Sequence, residues 1–114
     1  MQITYSANML VIGDIQRSFE NDIRAIEALP DKVLVLLSIP MDDKTTIDNI
    51  YAVTFKGEII WRSESLRCVY PKELHLPYEY MTIDNNLVQA TDFYGRRQCL
   101  DIDTGRIVRR DIVK

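Results

Sequence analysis

The chain is poor in the residues that usually announce a chemistry. Of its 114 residues one is histidine, two are cysteine, and glycine and proline occur four times each. A structural zinc site takes four ligands, and His75, Cys68 and Cys99 supply three scattered ones. The two cysteines share no motif spacing, so in a reducing compartment they are expected to be free thiols. The glycines, at positions 13, 57, 95 and 105, never cluster, which excludes a phosphate-cradling loop. The longest apolar run, Val33–Leu37, falls far below the roughly 18 residues of a membrane-spanning helix. Met9–Ile12 is too short for the apolar segment of a secretory signal, and no Lys or Arg precedes it. These absences lead to the expectation of a cytoplasmic protein that holds no metal or cofactor and makes no membrane contact.

An apolar fraction of 46% and a charged fraction of 27% are ordinary for a globular protein. A chain of this length folds as one domain, 1–114, around its own core. The net charge of −3 conceals an asymmetry. Residues 1–93 hold 14 acids and 8 bases, whereas residues 94–114 hold 3 acids and 6 bases: Arg96, Arg97, Arg106, Arg109, Arg110 and Lys114. Bases on a hairpin suit phosphates, but with a sequence pI of about 5.1 a solvated strand face opposite the acidic remainder is the better reading, and nucleic acid is disfavoured as a partner.

What the chain does have is a pattern that occurs twice. Ile50–Arg62 and Gln98–Arg110 each run from an apolar strand through a turn closed by glycine into a second apolar strand ending in arginine. Gly57 matches Gly105, Ile59 matches Ile107 and Arg62 matches Arg110, 48 positions on. This is hairpin grammar. Further strands are predicted at 2–5, 9–12, 33–39, 78–83 and 87–93, with the repeated hairpins giving 49–55, 58–63, 97–102 and 106–113. Residues 14–29 are ambiguous: Ile15, Phe19, Ile23 and Ile26 fall at helical spacing, while Asn21-Asp22 reads as a break. A strand over 23–28 is preferred because the rest of the chain is a run of hairpins, and one short helix near the N-terminus remains open. Residues 64–78, with Pro71 and Pro77, read as a long connection of the kind that often carries function. The predicted architecture is an all-β antiparallel meander of eight or nine strands in two sheets.

The stretches Asn49–Arg62 and Leu100–Val108 resemble the hairpins of PQQ-like β-propeller blades, which run from a short apolar strand into Asp-x-x-Gly-Lys-x-x-Trp. The resemblance covers about 33–62 and 86–110 and implies two blade-like sheets, with Trp61 as the tryptophan that packs between blades. The order of elements also resembles a group of small bacterial proteins, which brings a fold expectation and no activity. A closed propeller takes at least about four blades, so the edges of a shorter stack must be covered, and a homo-oligomer is one expected way to do so.

The candidate sites are few. Asp103-Thr104-Gly105 has the letters of an aspartic protease, but only nine residues follow it, and the turn reading is stronger: Asp bonds nearby backbone and Gly takes a positive φ. Cys68 and His75 form a conceivable nucleophile–base pair without a recognisable third group. Asp42, Asp43 and Asp48 lack the spacing of a calcium loop and read as a solvated turn. No catalytic constellation is recognisable, so a non-enzymatic role is expected. The aromatics Tyr70, Tyr78, Tyr80, Tyr94 and Trp61 are the candidate partner-binding residues, since Tyr and Trp dominate interface hot spots. The expected function is protein interaction, one concrete form being an immunity-type protein that binds a bacterial toxin. The alternative is a small hydrolase or ligand-binding protein that uses the 64–80 connection.

Overall fold

The computed structural model describes residues 1–112; Val113, predicted to end the last strand, and Lys114, counted among the C-terminal bases, lie outside them. Eleven strands and one short helix follow one another as β1 (Ile3–Ser6), β2 (Met9–Ile12), β3 (Ile15–Ser18), β4 (Ile23–Ala28), β5 (Val33–Leu37), β6 (Ile50–Val53), β7 (Ile59–Arg62), α1 (Leu66–Val69), β8 (Tyr78–Asp84), β9 (Leu87–Asp92), β10 (Arg96–Asp101) and β11 (Ile107–Ile112). Every pairing is antiparallel and joins neighbours in sequence, so the chain is a pure meander of three sheets: β1–β3, β4–β7 and β8–β11.

Two expectations are corrected here. There are three sheets rather than two, because Ile15–Ser18 pairs with β2 and completes a small N-terminal sheet. The open possibility of a helix over 14–29 is resolved as two strands, β3 and β4, and the helix lies instead at 66–69. Phe19 of the connector and Ile23 and Ile26 of β4 pack into one core, while Ile15 of β3 is exposed, so the helical spacing does not mark a single buried face. Pairing within tertiary context overrides that periodicity.

The three sheets stack with β4–β7 in the middle. In a strand, alternate side chains point to opposite faces. Val33, Val35 and Leu37 of β5 therefore join Leu10, Ile12 and Phe19 in one core. Leu34 and Leu36 join Val88, Ala90 and Leu100 in the other. Both faces of β5 are covered, so all five of its residues are buried. That is why Val33–Leu37 is the chain's longest apolar run: a strand with no solvent face has no use for polar alternation.

The second and third sheets repeat each other in detail. Each opens on a strand with a bulge: Ile23 pairs with Leu37 and Ala25 with Leu36, while Tyr78 pairs with Asp92 and Tyr80 with Thr91. The unpaired residues, Arg24 and Glu79, form an ion pair across the stack at 3.1 Å. Each also carries a second bulge in its fourth strand, where Ile60 and Val108 are the extra residues opposite Ala52–Val53 and Cys99–Leu100. The two final hairpins turn about Gly57 and Gly105, whose φ angles are +84° and +75°. The turn of the second is one residue longer, so the 48-residue spacing holds after the glycine and slips by one before it: Val53 pairs with Ile59, whereas Leu100 pairs with Ile107.

Gly105 has a second duty. Trp61 packs flat against it, and a Cβ there would fall 2.4 Å from Trp61 Cε3. The indole N–H donates to the Ile102 carbonyl at 3.2 Å, so the ring is clamped between the two sheets. Gly105→Ala combines a strained backbone with a steric clash. It is expected to lower stability by roughly 2–4 kcal/mol, measured by chemical denaturation.

Candidate protein-binding site

The meander brings three connections to one end of the second and third sheets: 38–49 after β5, 63–77 after β7 and 93–95 after β9. Asn49, fully buried, ties the end of the first to the end of the second. Its Nδ2 donates to the Leu37 carbonyl at 2.8 Å and the Tyr78 carbonyl at 2.9 Å, and its Oδ1 accepts from the Tyr78 N–H at 2.8 Å. One amide thus satisfies the ends of two sheets. Beside it Asp48, at φ +55°, is buried, and its Oδ1 accepts from the Leu66 N–H at 3.0 Å. Burial pushes the Asp48 carboxyl above its usual range against the pull of the Leu66 N–H and the Arg62 charge. Arg62 holds the same loop through the carbonyls of Asp48 and Ile47, at 2.8 and 2.9 Å. Of the three acids expected in a solvated turn, Asp48 is therefore a core residue. Asp43 instead caps its own turn, accepting from the N–H groups of Thr45 and Thr46 at 3.0 Å.

Between this loop and the third sheet lies a polar cluster built on the 63–77 connection. The Arg110 guanidinium stacks on the Tyr70 ring, 3.8 Å from its centroid, and pairs with Glu73 at 2.7 Å. With the Gln98 amide oriented toward its donors, its oxygen accepts from Arg110 Nε and Nη2 at 2.9 and 3.1 Å. Arg96 pairs with Asp92 at 2.7 Å and reaches Glu73 at 3.8 Å. Asp92 also accepts from the N–H of Tyr94 and Arg96, shaping the 93–95 turn. Arg110 holds the Glu73 carboxyl below its usual range, and Glu73 in turn raises Arg110.

This arrangement sorts the five candidate aromatics. Tyr80 and Tyr94 are exposed at 62% and 64% and free to meet a partner. Tyr70 is half-buried beneath Arg110. Tyr78 and Trp61 are core residues, so their assignment to a partner surface is corrected: both pack between the second and third sheets. The Tyr78 hydroxyl is buried with no hydrogen-bond partner among the described residues, and that burial drives its pKa far upward. Phe93, unremarked as an interface residue in the sequence, stands 73% exposed against Tyr94 with ring centroids 5.9 Å apart, and Leu74 of the neighbouring connection is 67% exposed. The sequence signal for Phe93 was its place beside Tyr94 in a turn, where no core is within reach.

The remaining candidates come apart in space. Among the described residues no hydrogen bond joins Cys68 to His75. The imidazole Nε2 lies 2.6 Å from the Tyr70 carbonyl and so must be its protonated nitrogen. Both cysteines are free, Cys68 exposed and Cys99 buried beside Asp111. Asp103-Thr104-Gly105 is a turn: Asp101 Oδ1 accepts from the Asp103 N–H at 2.8 Å and Thr104 Oγ1 from the Arg106 N–H at 3.3 Å. Of the C-terminal arginines, Arg96, Arg97, Arg109 and Arg110 all face carboxylates, which neutralises most of the basic stretch internally.

Two outcomes test the cluster. Asn49→Ala removes three buried hydrogen bonds and is expected to cost about 2–4 kcal/mol, whereas Tyr78→Phe, which removes an unpartnered hydroxyl, leaves stability unchanged or higher. The second concerns pH. Glu73 titrates below its unfolded value, so the stability it supplies is complete at neutral pH and is lost as pH falls below about 4. In thermal melts between pH 6 and 3, Glu73→Gln is expected to show a shallower loss than the wild type.

No curated protein matches the chain. Among solved structures, it resembles that of the computationally designed Ika8 protein, with a TM-score of 0.59 over 96% of this chain at 12% identity. The chain spans 35% of that protein's length, and at this identity the likeness concerns the fold alone. Among the described residues no helix is long and apolar enough to cross a membrane. The family model for a domain of unknown function, DUF7957, matches residues 1–112, and the chain belongs to that family.

Proposed function

We propose that this protein is a cytoplasmic, non-enzymatic interaction module that binds another protein through the end of the stack formed by the 63–77 and 93–95 connections. The observation that carries the reading is the exposed group Leu74, Phe93 and Tyr94 beside the Arg96–Glu73–Arg110 network. Apolar and aromatic side chains ringed by oriented arginines have the composition of interface hot spots. The network holds its own side chains in place before any partner arrives, which reduces the ordering entropy that association costs. The second and third sheets, on this proposal, are propeller-blade-like repeats used as a rigid support. The net charge of −3 favours a basic partner and speeds its approach. An immunity-type protein that neutralises a basic bacterial toxin is the concrete version.

The test is a pull-down with tagged protein from lysate of the source organism. One polypeptide is expected in near-stoichiometric amount, and the double variant Phe93→Ala/Tyr94→Ala, checked for an unchanged melting temperature, is expected to retain it on the order of ten-fold less. Equal retention by the variant would move the binding surface elsewhere. An empty pull-down from wild type would remove the interaction reading.

A further inference from the structure

The first sheet stops one strand short of the other two. Sheets β4–β7 and β8–β11 have four strands, while β1–β3 ends at β3 and the chain passes through Phe19–Asp22 directly into β4. In an antiparallel strand alternate residues turn their backbone groups away from the neighbouring strand. Among the described residues no backbone group of another strand meets the outer edge of β3.

The missing strand leaves a space. In the stack of the second and third sheets, Trp61 of β7 is covered by the turn of the fourth-strand hairpin through Gly105. On the opposite face of β7, Ile59 and Arg62 look toward the first sheet, where the fourth strand is lacking. A cleft of about 480 Å³ opens there, between Arg17, Ser18 and Phe19 on one side and Tyr51, Ile59 and Arg62 on the other. Its floor is built: the rings of Phe19 and Tyr51 lie 5.4 Å apart, and the Arg62 guanidinium sits 5.5 Å from the Tyr51 ring.

Charge says what the space would take. Arg24, Arg96, Arg97, Arg109 and Arg110 all pair with carboxylates. The two arginines that line the cleft do not: among the described residues Arg17 reaches only the Gly57 carbonyl, at 3.4 Å, and Arg62 only the carbonyls of Ile47 and Asp48. Arg62 also feels the Asp48 carboxylate electrostatically and Glu20 lines the cleft as well, but neither arginine forms an ion pair among the described residues, so two guanidinium groups face one carboxylate along the groove.

We infer that the β3 edge and this cleft receive an extended segment of a partner protein, which adds as the fourth strand of the first sheet and sets an aspartate or glutamate between Arg17 and Arg62. Main-chain hydrogen bonds to β3 supply affinity, and alternate side chains supply selectivity: apolar ones over Ile59 and Phe19, the acidic one at the arginines. This surface is separate from the Phe93–Tyr94 end and stands or falls independently of it.

The probe is a phage-displayed library of random linear 12-residue peptides, selected on the whole protein. Enriched sequences are expected to alternate apolar and polar residues around one acid, and a synthetic peptide from the selection to shift the backbone amide resonances of residues 15–18. Arg17→Glu is expected to weaken that peptide on the order of ten-fold or more, Arg17→Gln to weaken it less, and replacement of the peptide's acid by lysine to restore binding to Arg17→Glu. No enrichment, enriched peptides without an acid, or equal binding to wild type and Arg17→Glu would overturn the proposal. So would a dimer seen by sedimentation that Arg17→Glu dissociates, since a second copy would then occupy the edge.

Discussion

The rest of the structure depends on β5 being buried on both faces. A sheet with one wet face needs one neighbour, whereas a sheet whose central strand reads Val-Leu-Val-Leu-Leu must have two. Val33, Val35 and Leu37 call for the first sheet, and Leu34 and Leu36 call for the third. A small domain gains more from one shared layer than from two separate cores, because each residue of that layer contributes burial without a solvent-facing half to keep polar. Register follows from the same demand: a slip of one residue in β5 would exchange its two faces, and neither core would fit.

The bulges answer the geometric problem that this stacking creates. Sheets that stack must twist together, and an extra residue increases local twist. Arg24 and Glu79 occupy equivalent bulges and pair across the stack at 3.1 Å. An exposed pair of this kind adds little stability, but it fixes which bulge faces which. Asn49 does comparable work from inside. Its three buried hydrogen bonds tie Leu37 to Tyr78, so the long connection after β5 closes on the next sheet rather than on solvent. Trp61 against Gly105 closes the opposite side of that interface. Few positions are thus asked to hold two sheets in one relation.

The hairpins were legible in the sequence because turn chemistry and two-residue alternation are local. The hairpins about Gly57 and Gly105 follow from neighbours within a dozen residues, whereas the strand over 23–28 was preferred only because the rest of the chain is a run of hairpins. The first sheet was less legible. Ile15–Ser18 offers one strongly apolar residue in four, and its strand character comes from pairing with Met9–Ile12 rather than from its own pattern. The candidate site was legible only in part. Tyr80 and Tyr94 lie exposed as an interface requires, yet Tyr78, two residues from Tyr80, is core. The bulge at Glu79 breaks the alternation that would otherwise have placed both tyrosines on one face, and no sequence signal marks it. Asp48 and Asn49 were hidden for a related reason. They look like the tail of a polar loop, and only the arrival of Tyr78, 29 residues on, turns Asn49 into a bridge.

The two proposed surfaces share an origin in the way the chain ends its sheets. A meander places every turn at one of two ends, and lengthening a turn is the cheapest way to add surface without disturbing the stack. The second sheet is extended at 38–49 and the link to the third at 63–77, both at the end where Asp92 shapes the Phe93–Tyr94 turn. The first sheet is shortened instead. Its strands stop at three, so the face of β7 that carries Ile59 and Arg62 meets a cleft rather than a strand. A fold that needed only stability would have filled that cleft with an apolar fourth strand. A natural edge is usually blunted by charge or by cover. Arg17 supplies the charge here, and it stands with Arg62, likewise outside any ion pair among the described residues, over an aromatic floor, a combination that on the proposed reading favours a strand that brings a carboxylate. On that reading, an unpaired charge beside an open edge discourages indiscriminate strand pairing while leaving the edge available to one matched segment.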